Sequence, residues 1–263
     1  MASLGTITVT LSQMAKQIDH SLLPPNMTDA EIQAGLDLCS KYKVASACVK
    51  PYSIPAAVET FKGTDVKVCA VIGFPHGNST TEIKVLEAVA AVTAGATEID
   101  MVVNVGKVLG KDWGYVAAEI AAINTAVESE GAILKVIFEN DFLQDEHIVE
   151  LCKICTKAKV AFVKTSTGYG FVKRENGMYS YNGATVPHVE LMRKECGPDV
   201  KIKAAGGVRT VDEFLYMMKI GTTRIGTSGT AGLMEEAKRR GIGEEPTVVE
   251  LKAPRESAGG SGY

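Results

Sequence analysis

Residues 160–165 read VAFVKT, a short run of apolar and β-branched residues between turn-forming neighbours. Such a run is typical of a buried strand. Seven other runs share this character and are separated by helical segments: residues 17–22, 45–50, 66–73, 98–103, 134–139, 201–205 and 223–227. Strands joined by helices pair in parallel, and eight such units in roughly 225 residues can close a sheet on itself. The sequence therefore predicts a single (β/α)8 barrel, or TIM barrel, with a doubly wound open sheet as the alternative.

Capping boxes, in which a Ser or Thr stands three positions before a Glu, mark the starts of three helices. After each box, apolar residues recur every three or four positions, as one buried face of a helix requires. The boxes are Thr28 with Glu31, Ser79 with Glu82, and Thr210 with Glu213.

The composition is that of an ordinary water-soluble globular protein. Of the 263 residues, 46% are hydrophobic and 22% are charged, and the net charge is −3. Because there is no basic excess, nucleic acid is not an expected partner. The chain carries neither a basic leader followed by an apolar run nor about 18 consecutive apolar residues, so we expect a cytoplasmic protein that does not enter a membrane.

Residues 1–241 are predicted to form the barrel domain, with a short helical extension at its amino terminus. Residues 242–263 follow neither the strand nor the helix period and include GGSG at 259–262, so we expect a flexible tail. The six cysteines suit reduced thiols, since no secretion signal accompanies them. Cys152 and Cys155 form a C-x-x-C on the apolar stripe of a helix, which indicates core packing rather than a redox or zinc site.

The residues that end the predicted strands are unusually polar, and in a (β/α)8 barrel the reacting groups lie there. Lys164 follows an apolar strand, and Lys203 lies in the next one. If both point inward, burial and a second ammonium group favour a neutral amine, which is a nucleophile for carbonyl carbons. Asp100, in the fourth predicted strand, is suited to move protons beside such an amine. The alternative is that the two lysines point outward to solvent and that Asp100 is an ordinary ion-pair partner.

Glycine-rich segments after the sixth, seventh and eighth predicted strands indicate a phosphate site. Glycine lets backbone N–H groups approach an anion closely, and a short helix beginning near Ser228 would direct its positive end at the same place. The predicted phosphate-binding residues are Gly168, Gly206, Gly207, Gly226 and Ser228. Glycines also occur in plain turns, which is the alternative interpretation.

Four segments, in this order along the chain, carry a family resemblance: GFPHG (73–77), EIDMV (98–102), FVKTSTG (162–168) and KAAGGVR (203–209). They resemble the 2-deoxyribose-5-phosphate aldolases, a family of class I aldolases, and the resemblance runs from Ile18 to Gly241. It implies reversible cleavage of 2-deoxy-D-ribose 5-phosphate to acetaldehyde and D-glyceraldehyde 3-phosphate, in the breakdown of deoxyribonucleotides. It implies no metal and no other cofactor, a small phosphorylated aldehyde as substrate, and a homo-oligomer.

The same resemblance implies roles for individual residues. Lys164 matches the lysine that forms the Schiff base, Lys203 the lysine that keeps this amine reactive, and Asp100 the acid–base group. Supporting residues are implied at four further positions: Lys135, Asp19, Cys48 and Tyr263. In family members that end in tyrosine, that residue donates a proton to the enamine.

Alternatives remain for the supporting positions and for one loop. A structural ion pair would explain Lys135 equally well, simple packing is the safer interpretation of Cys48, and Tyr263 reads equally as the remnant of a linker. The loop at 169–184 is longer than is usual in the family. It could close over the substrate, contact a neighbouring subunit or lie at the surface, and the surface is the favoured interpretation.

Three rival functions share parts of this pattern. Another class I aldolase with a different acceptor would also use Lys164, and product analysis would separate the two. A metal-dependent aldolase would need ligands, and the four histidines offer no close pair: His20, His76, His147 and His188. A non-enzymatic barrel that binds phosphosugars would keep the glycine segments but would have no use for a buried lysine pair.

Overall fold

The β-rich runs and helical periods form regular elements in the computed structural model, which describes residues 4–173 and 175–252. The strands are β1 (Thr6–Val9), β2 (Ile18–Leu22), β3 (Ser46–Val49), β4 (Lys67–Ile72), β5 (Glu98–Val102), β6 (Ile133–Ile137), β7 (Phe162–Lys164), β8 (Val172–Lys173), β9 (Tyr179–Ser180), β10 (Lys201–Ala205), β11 (Thr222–Thr227) and β12 (Thr247–Glu250). The α-helices are α1 (Leu11–Ala15), α2 (Asp29–Tyr42), α3 (Ile54–Thr60), α4 (Thr81–Thr93), α5 (Val105–Leu109), α6 (Trp113–Ser129), α7 (Asp145–Lys157), α8 (Val186–Glu195), α9 (Val211–Lys219) and α10 (Thr230–Arg239).

Eight parallel strands close into a barrel in the order β10-β11-β2-β3-β4-β5-β6-β7, because β7 also pairs with β10. They are the eight strands predicted from the sequence, and the helices between them form the outer layer. The predicted (β/α)8 barrel is confirmed, and the open sheet is wrong. Since successive side chains of a strand alternate between the barrel interior and the helix layer, every second residue faces inward.

Hydroxyl side chains cap the helices close to where the sequence indicates. Thr28 at α2 and Thr210 at α9 each form a reciprocal capping box with the glutamate three positions later. At α4 the prediction is wrong by one residue, because Thr80 rather than Ser79 accepts the hydrogen bond from the N–H of Ile83.

The layer between the strands and the helices is apolar. Leu36 of α2, Ile120 of α6 and Phe214 of α9 are fully buried in it. Cys152 and Cys155 of α7 are fully buried in the same layer, which confirms the prediction of core packing. In the part of the chain that the structure describes, no helix has both the length and the apolar character needed to cross a bilayer.

The two ends of the described chain pair with each other. The expected short helix near the amino terminus is present as α1, but β1 precedes it and pairs antiparallel with β12. Leu251, directly after β12, is buried. The expectation of a tail without regular structure is therefore wrong for Thr247–Glu250, and residues 253–263 lie outside the described residues.

The long loop at 169–184 contains a small hairpin, in which β8 pairs with β9. Its outer part is exposed, as the surface interpretation expects, but Tyr181, Gly183 and Ala184 are buried. Gly183 has φ +71°, and a Cβ there would lie 2.6 Å from backbone atoms of Gly206. Asp141 accepts hydrogen bonds from the N–H groups of Asn182 at 2.5 Å and of Gly183 at 2.9 Å. The surface interpretation is therefore wrong for the second half of this loop, which packs against the glycine segment after β10.

Candidate active site

Inward-facing side chains near the carboxyl ends of the barrel strands surround one pocket. Parallel strands all end at the same rim of a barrel, so the polar strand ends expected from the sequence meet there. The pocket is lined by Asp19, Ser21, Leu23, Cys48, Lys164, Thr167, Lys203, Ala205, Gly206 and Gly226.

Asp100 gathers three lysines around one carboxylate. Its Oδ2 accepts hydrogen bonds from the Nζ atoms of Lys164 and Lys203, each at 2.8 Å, and its Oδ1 accepts one from Nζ of Lys135 at 2.9 Å. Lys164 is 3% exposed and the other three residues are fully buried. The interpretation that Lys164 and Lys203 point outward is therefore wrong.

A second set of charges adjoins this cluster. Glu98 precedes Asp100 by two residues on β5 and accepts two hydrogen bonds from Arg224 of β11, both at 2.9 Å. Arg224 also donates to Asp19 at 2.6 Å. We call the connected set the barrel network; its members are Asp19, Glu98, Asp100, Lys135, Lys164, Lys203 and Arg224.

The two sets are joined by Lys135 and Lys203. Lys135 contacts Glu98 at 2.7 Å in addition to Asp100, and Lys203 contacts Asp19 at 2.6 Å in addition to Asp100. Lys135 and Lys203 therefore each connect Asp100 to a second carboxylate.

The barrel network is not electrically balanced when every member is ionised. Three carboxylates face four basic side chains, which leaves one positive charge in excess. An excess charge is costly where water is scarce. Arg224 does not lose its proton in proteins, and Lys135 and Lys203 each bridge at least two carboxylates, whereas Lys164 contacts Asp100 alone among the network's carboxylates. Lys164 is therefore the amine whose loss of a proton costs the network least.

Burial and attraction act in opposite directions on the network's ionisation. Burial raises the pKa of Asp100, but the neighbouring lysines outweigh it and hold that pKa well below its ordinary value. Burial lowers the pKa of Lys203, but Asp100 and Asp19 outweigh it and raise that pKa above its ordinary value. Opposing contributions of the same kind raise the pKa of Lys135. Lys203 and Lys135 therefore remain ammonium groups beside Asp100.

Cys48 and Cys69 lie side by side on β3 and β4 against the same cluster. Cys69 Sγ donates to Asp100 at 3.1 Å, and Lys203 donates to Cys48 Sγ at 3.4 Å. The hydrogen bond with Cys69, assisted by Lys203 and opposed by burial, lowers the pKa of Cys48 to about 7. The two sulfurs and an Asp100 oxygen lie within 4.8 Å of one another, as metal ligands would. Lys135 and Lys203 already hold these atoms, so a metal cation would face two ammonium groups and the set does not suit one.

Glu139 supports the segment after Lys164. It is buried and accepts hydrogen bonds from the N–H of Thr167, at 3.2 Å, and from the Thr167 hydroxyl. The N–H of Asn140 holds the same segment by donating to the carbonyl of Thr165 at 2.9 Å. Burial, opposed by the hydrogen bonds from Thr167, raises the pKa of Glu139 to about 7.

The predicted phosphate-binding residues lie at or next to the pocket. Gly206 and Gly226 line it, and Gly168 and Gly207 directly follow lining residues. Gly168, Gly206 and Gly207 have φ values of +88°, +79° and +87°, in the left-handed region that favours glycine. Ser228 is exposed after β11, and α10 begins two residues later, close to the predicted helix start.

One predicted site residue has no described position, and two residues of the barrel network were not predicted from the sequence. Tyr263 lies outside the described residues, so its role stays a prediction. Neither Glu98 nor Arg224 was expected at the site, although Arg224 stands in a strand two residues before Gly226, on the inward-facing side. A charged residue at such a position needs a buried partner, and this signal could have found the pair.

Comparisons with known proteins show the family to which this chain belongs. The model of the DeoC/LacD family of aldolases matches residues 13–235. A deoxyribose-phosphate aldolase of Rhodopirellula baltica is 44% identical over 250 residues, which cover 95% of this chain and 97% of that protein. One of Caldanaerobacter subterraneus is 44% identical over 89% of this chain and 97% of its own length. The solved structure of a tetrameric deoxyribose phosphate aldolase from Aeropyrum pernix covers 87% of this chain and 92% of its own, with 29% identity and a TM-score of 0.77. The chain belongs to the DeoC/LacD family of aldolases.

Proposed function

We propose that this protein is a class I aldolase that reversibly cleaves 2-deoxy-D-ribose 5-phosphate to acetaldehyde and D-glyceraldehyde 3-phosphate through a Schiff base on Lys164. The observation that carries the proposal is Lys164 itself, which lines the pocket, contacts Asp100 at 2.8 Å and contacts no other carboxylate of the barrel network. The 44% identity to deoxyribose-phosphate aldolases over nearly the whole chain supports the substrate.

The reaction begins when the neutral amine of Lys164 attacks C1 of the open-chain sugar. The hydroxyl of the resulting carbinolamine takes up the proton that Lys164 had released and leaves as water. This gives a protonated imine, which restores a positive charge at the position of the Lys164 ammonium. The Asp100 carboxylate lies 2.8 Å from the Lys164 nitrogen and is in place before the reaction, so it attracts the positively charged imine.

Cleavage then breaks the C2–C3 bond. The electron pair of this bond moves to the imine and forms an enamine, while the C3 hydroxyl loses its proton and becomes the aldehyde of D-glyceraldehyde 3-phosphate. We assign this proton transfer to Asp100 acting through a water, as the family resemblance implies; its Oδ2 lies within hydrogen-bond distance of Lys164 and Lys203. Protonation of the enamine at C2 and hydrolysis release acetaldehyde, with Tyr263 as a candidate proton donor.

The two sides of the pocket suit the two ends of the substrate. Leu23 and Cys48 form an apolar cluster with Phe74 and Tyr169, and this side accepts the carbon chain at C1 and C2. Gly206 and Gly226 form the other side, where backbone N–H groups and the start of α10 accept the phosphate. We also propose that the enzyme is a cytoplasmic homo-oligomer, that it needs no metal and no other cofactor, and that residues 1–241 carry the activity.

The direct test is turnover of 2-deoxy-D-ribose 5-phosphate with both products identified, in the presence and absence of a chelator. We expect acetaldehyde and D-glyceraldehyde 3-phosphate in equal amounts and no effect of the chelator. Phosphate binding without turnover would instead support a phosphosugar-binding barrel, and a different aldehyde product would indicate another class I aldolase.

The phosphate end is tested by placing a Cβ at Gly183, where it would press on the backbone of Gly206. We expect Gly183→Ala to raise KM for the phosphorylated sugar by about tenfold, the effect of losing roughly one hydrogen bond to an anion, with less effect on unphosphorylated 2-deoxyribose. Gly177→Ala is the matched control, because it also has positive φ but a Cβ there meets open space. An equal rise for both sugars would contradict the assignment.

A further inference from the structure

The Glu98–Arg224 pair lies outside the set of residues that line the pocket, yet it belongs to the barrel network. We propose that this pair controls how readily Lys164 releases its proton, by fixing the net charge of the barrel network. Both are positioning residues, since they act through other side chains. The inference rests on the proposed function, because it concerns the amine that forms the Schiff base.

Two chains of contacts connect the pair to the reactive amine. Arg224 contacts Asp19 at 2.6 Å, Asp19 contacts Lys203 at 2.6 Å, and Lys203 shares Oδ2 of Asp100 with Lys164.

The second chain is shorter. Glu98 contacts Lys135 at 2.7 Å, and Lys135 contacts the other oxygen of Asp100 at 2.9 Å. Because Glu98 and Lys135 are buried and Arg224 is mostly buried, solvent screens these interactions weakly.

The charges of the pair cancel, and this cancellation makes the proposal testable. Without the Arg224 cation, three carboxylates would face three lysines, the network would be balanced with Lys164 protonated, and the proton would be held more tightly. Without the Glu98 anion, the excess of positive charge would grow and the proton would leave more readily. Without both, the cations of the network would again outnumber its carboxylates by one, as in the parent protein.

Other titratable groups face the network and must be separated from Lys164. Besides the network's own members, the groups described in the structure include Cys39 on α2, Cys48 on β3, Cys69 on β4, Glu139 after β6, and Lys201 of β10, whose Nζ lies over the same Phe162 ring as Arg224. The pKa values of Cys48 and Glu139 both lie at about 7. The measurements are therefore repeated in Cys48→Ser and in Glu139→Gln backgrounds, in which these ionisations are absent.

The experiment measures kcat/KM for 2-deoxy-D-ribose 5-phosphate against pH, since its acid limb reports ionisation in the free enzyme. We expect Arg224→Gln to move the acid limb upward and Glu98→Gln to move it downward, each by about one pH unit, the effect of one buried charge nearby. The double variant returns the limb to the parent position. Arg224→Lys keeps the charge but loses the two-pronged hydrogen bond, so it leaves the limb in place while lowering stability.

Controls separate charge from folding. Arg240→Gln removes a cation from an ion pair with Asp212 outside the barrel network and should leave the limb unchanged. If Arg224→Gln does not fold, Glu98→Gln, which is close to isosteric, and the double variant still carry the test. Borohydride trapping of acetaldehyde against pH gives a second readout that needs no turnover.

The outcomes are distinguishable. Opposite shifts that cancel in the double variant support the inference. Shifts in the same direction, or no shift while acetaldehyde is still trapped on Lys164, overturn it and leave the proposed function intact. Absence of any adduct on Lys164 in the parent protein would instead overturn the proposed function.

Discussion

Two groups of buried charges in this molecule look alike and differ in one respect. Lys84 of α4 and Glu119 of α6 form an ion pair at 2.9 Å between two helices, and both side chains are fully buried. Lys84 also donates to the carbonyl of Val102, and Glu119 accepts from the N–H of Asn104. Within this ion pair one cation faces one carboxylate, so the pair is balanced, and Glu87 adds a weaker attraction for Lys84.

The barrel network is buried to a similar degree but has one more cation than carboxylates. Burial lowers the pKa of Lys84 and Glu119 opposes this, and removing either member of the pair leaves an uncompensated buried charge. A network with a surplus proton can lose it and become neutral. The comparison indicates that burial makes a charge structural or reactive according to the charge balance of its surroundings.

Replacement of Lys164 is expected to have the largest effect and to distinguish the barrel network from the Lys84–Glu119 pair. Lys164→Met removes the nucleophile and the surplus charge together, so kcat/KM should fall by at least about 10³-fold. The free energy of unfolding should stay the same or rise, because the remaining network is balanced. Steady-state kinetics and urea unfolding on the same preparations check both halves. A folded variant that keeps a tenth of the activity would contradict the assignment of Lys164.

A lysine-to-methionine substitution in the Lys84–Glu119 pair should instead destabilise the protein. Lys84→Met leaves Glu119 buried without its cation and should lower the free energy of unfolding by about 3–5 kcal/mol. Replacing both partners, as in Lys84→Met with Glu119→Leu, should recover most of this loss. Urea unfolding of Lys84→Met, Glu119→Leu and the double variant measures these changes in the free energy of unfolding. A single variant as stable as the parent protein would contradict the difference drawn between the two groups of charges.

Glu139 belongs neither to the barrel network nor to the Lys84–Glu119 pair. It is a buried carboxyl group that accepts hydrogen bonds from Thr167. Folding raises its pKa from 4.5 to about 7, so the folded protein binds the proton more tightly than the unfolded chain does. The contribution of Glu139 to the free energy of unfolding is fully present below pH 4.5. It is lost as pH rises through 7, and the total loss is about 3 kcal/mol. Glu139→Gln should flatten the decline in unfolding free energy over this range. Equal slopes in the two proteins would show that Glu139 does not titrate there.

The smallest expected effect concerns a neutral donor to the network. Ser46 Oγ donates to Asp19 at 2.6 Å, so Ser46→Ala should lower the free energy of unfolding by about 1–2 kcal/mol. Ser53→Ala is the matched control, because the Ser53 hydroxyl is buried and finds no hydrogen-bond partner among the described residues. A loss as large in the control would show that the hydroxyl volume, and not the hydrogen bond, is what matters.

The sequence predicts most of this molecule where the decisive pattern is local. Each barrel strand is a short β-rich run, and Lys164, Lys203 and Asp100 are polar residues in or at the ends of such runs. Strand β12 was missed because its pairing partner, β1, lies at the other end of the chain and neither strand is fully buried.

The charge balance of the site could not be predicted in the same way. It depends on which side chains of non-adjacent strands meet across the barrel, as Glu98 of β5 and Arg224 of β11 do. Strand order and register decide this, and no local pattern encodes them. The inward fold of residues 181–184 likewise depends on a contact between Gly183 and Gly206.

The proposed reaction requires an imine at Lys164. The decisive measurement is borohydride reduction of the protein with acetaldehyde, followed by intact mass and peptide mapping, with Lys164→Met and Lys203→Met as controls. We expect one ethyl group, on Lys164, which is absent from the Lys164 variant and forms more slowly in the Lys203 variant. An ethyl group on another lysine, or no adduct together with activity that a chelator abolishes, would contradict the proposed reaction.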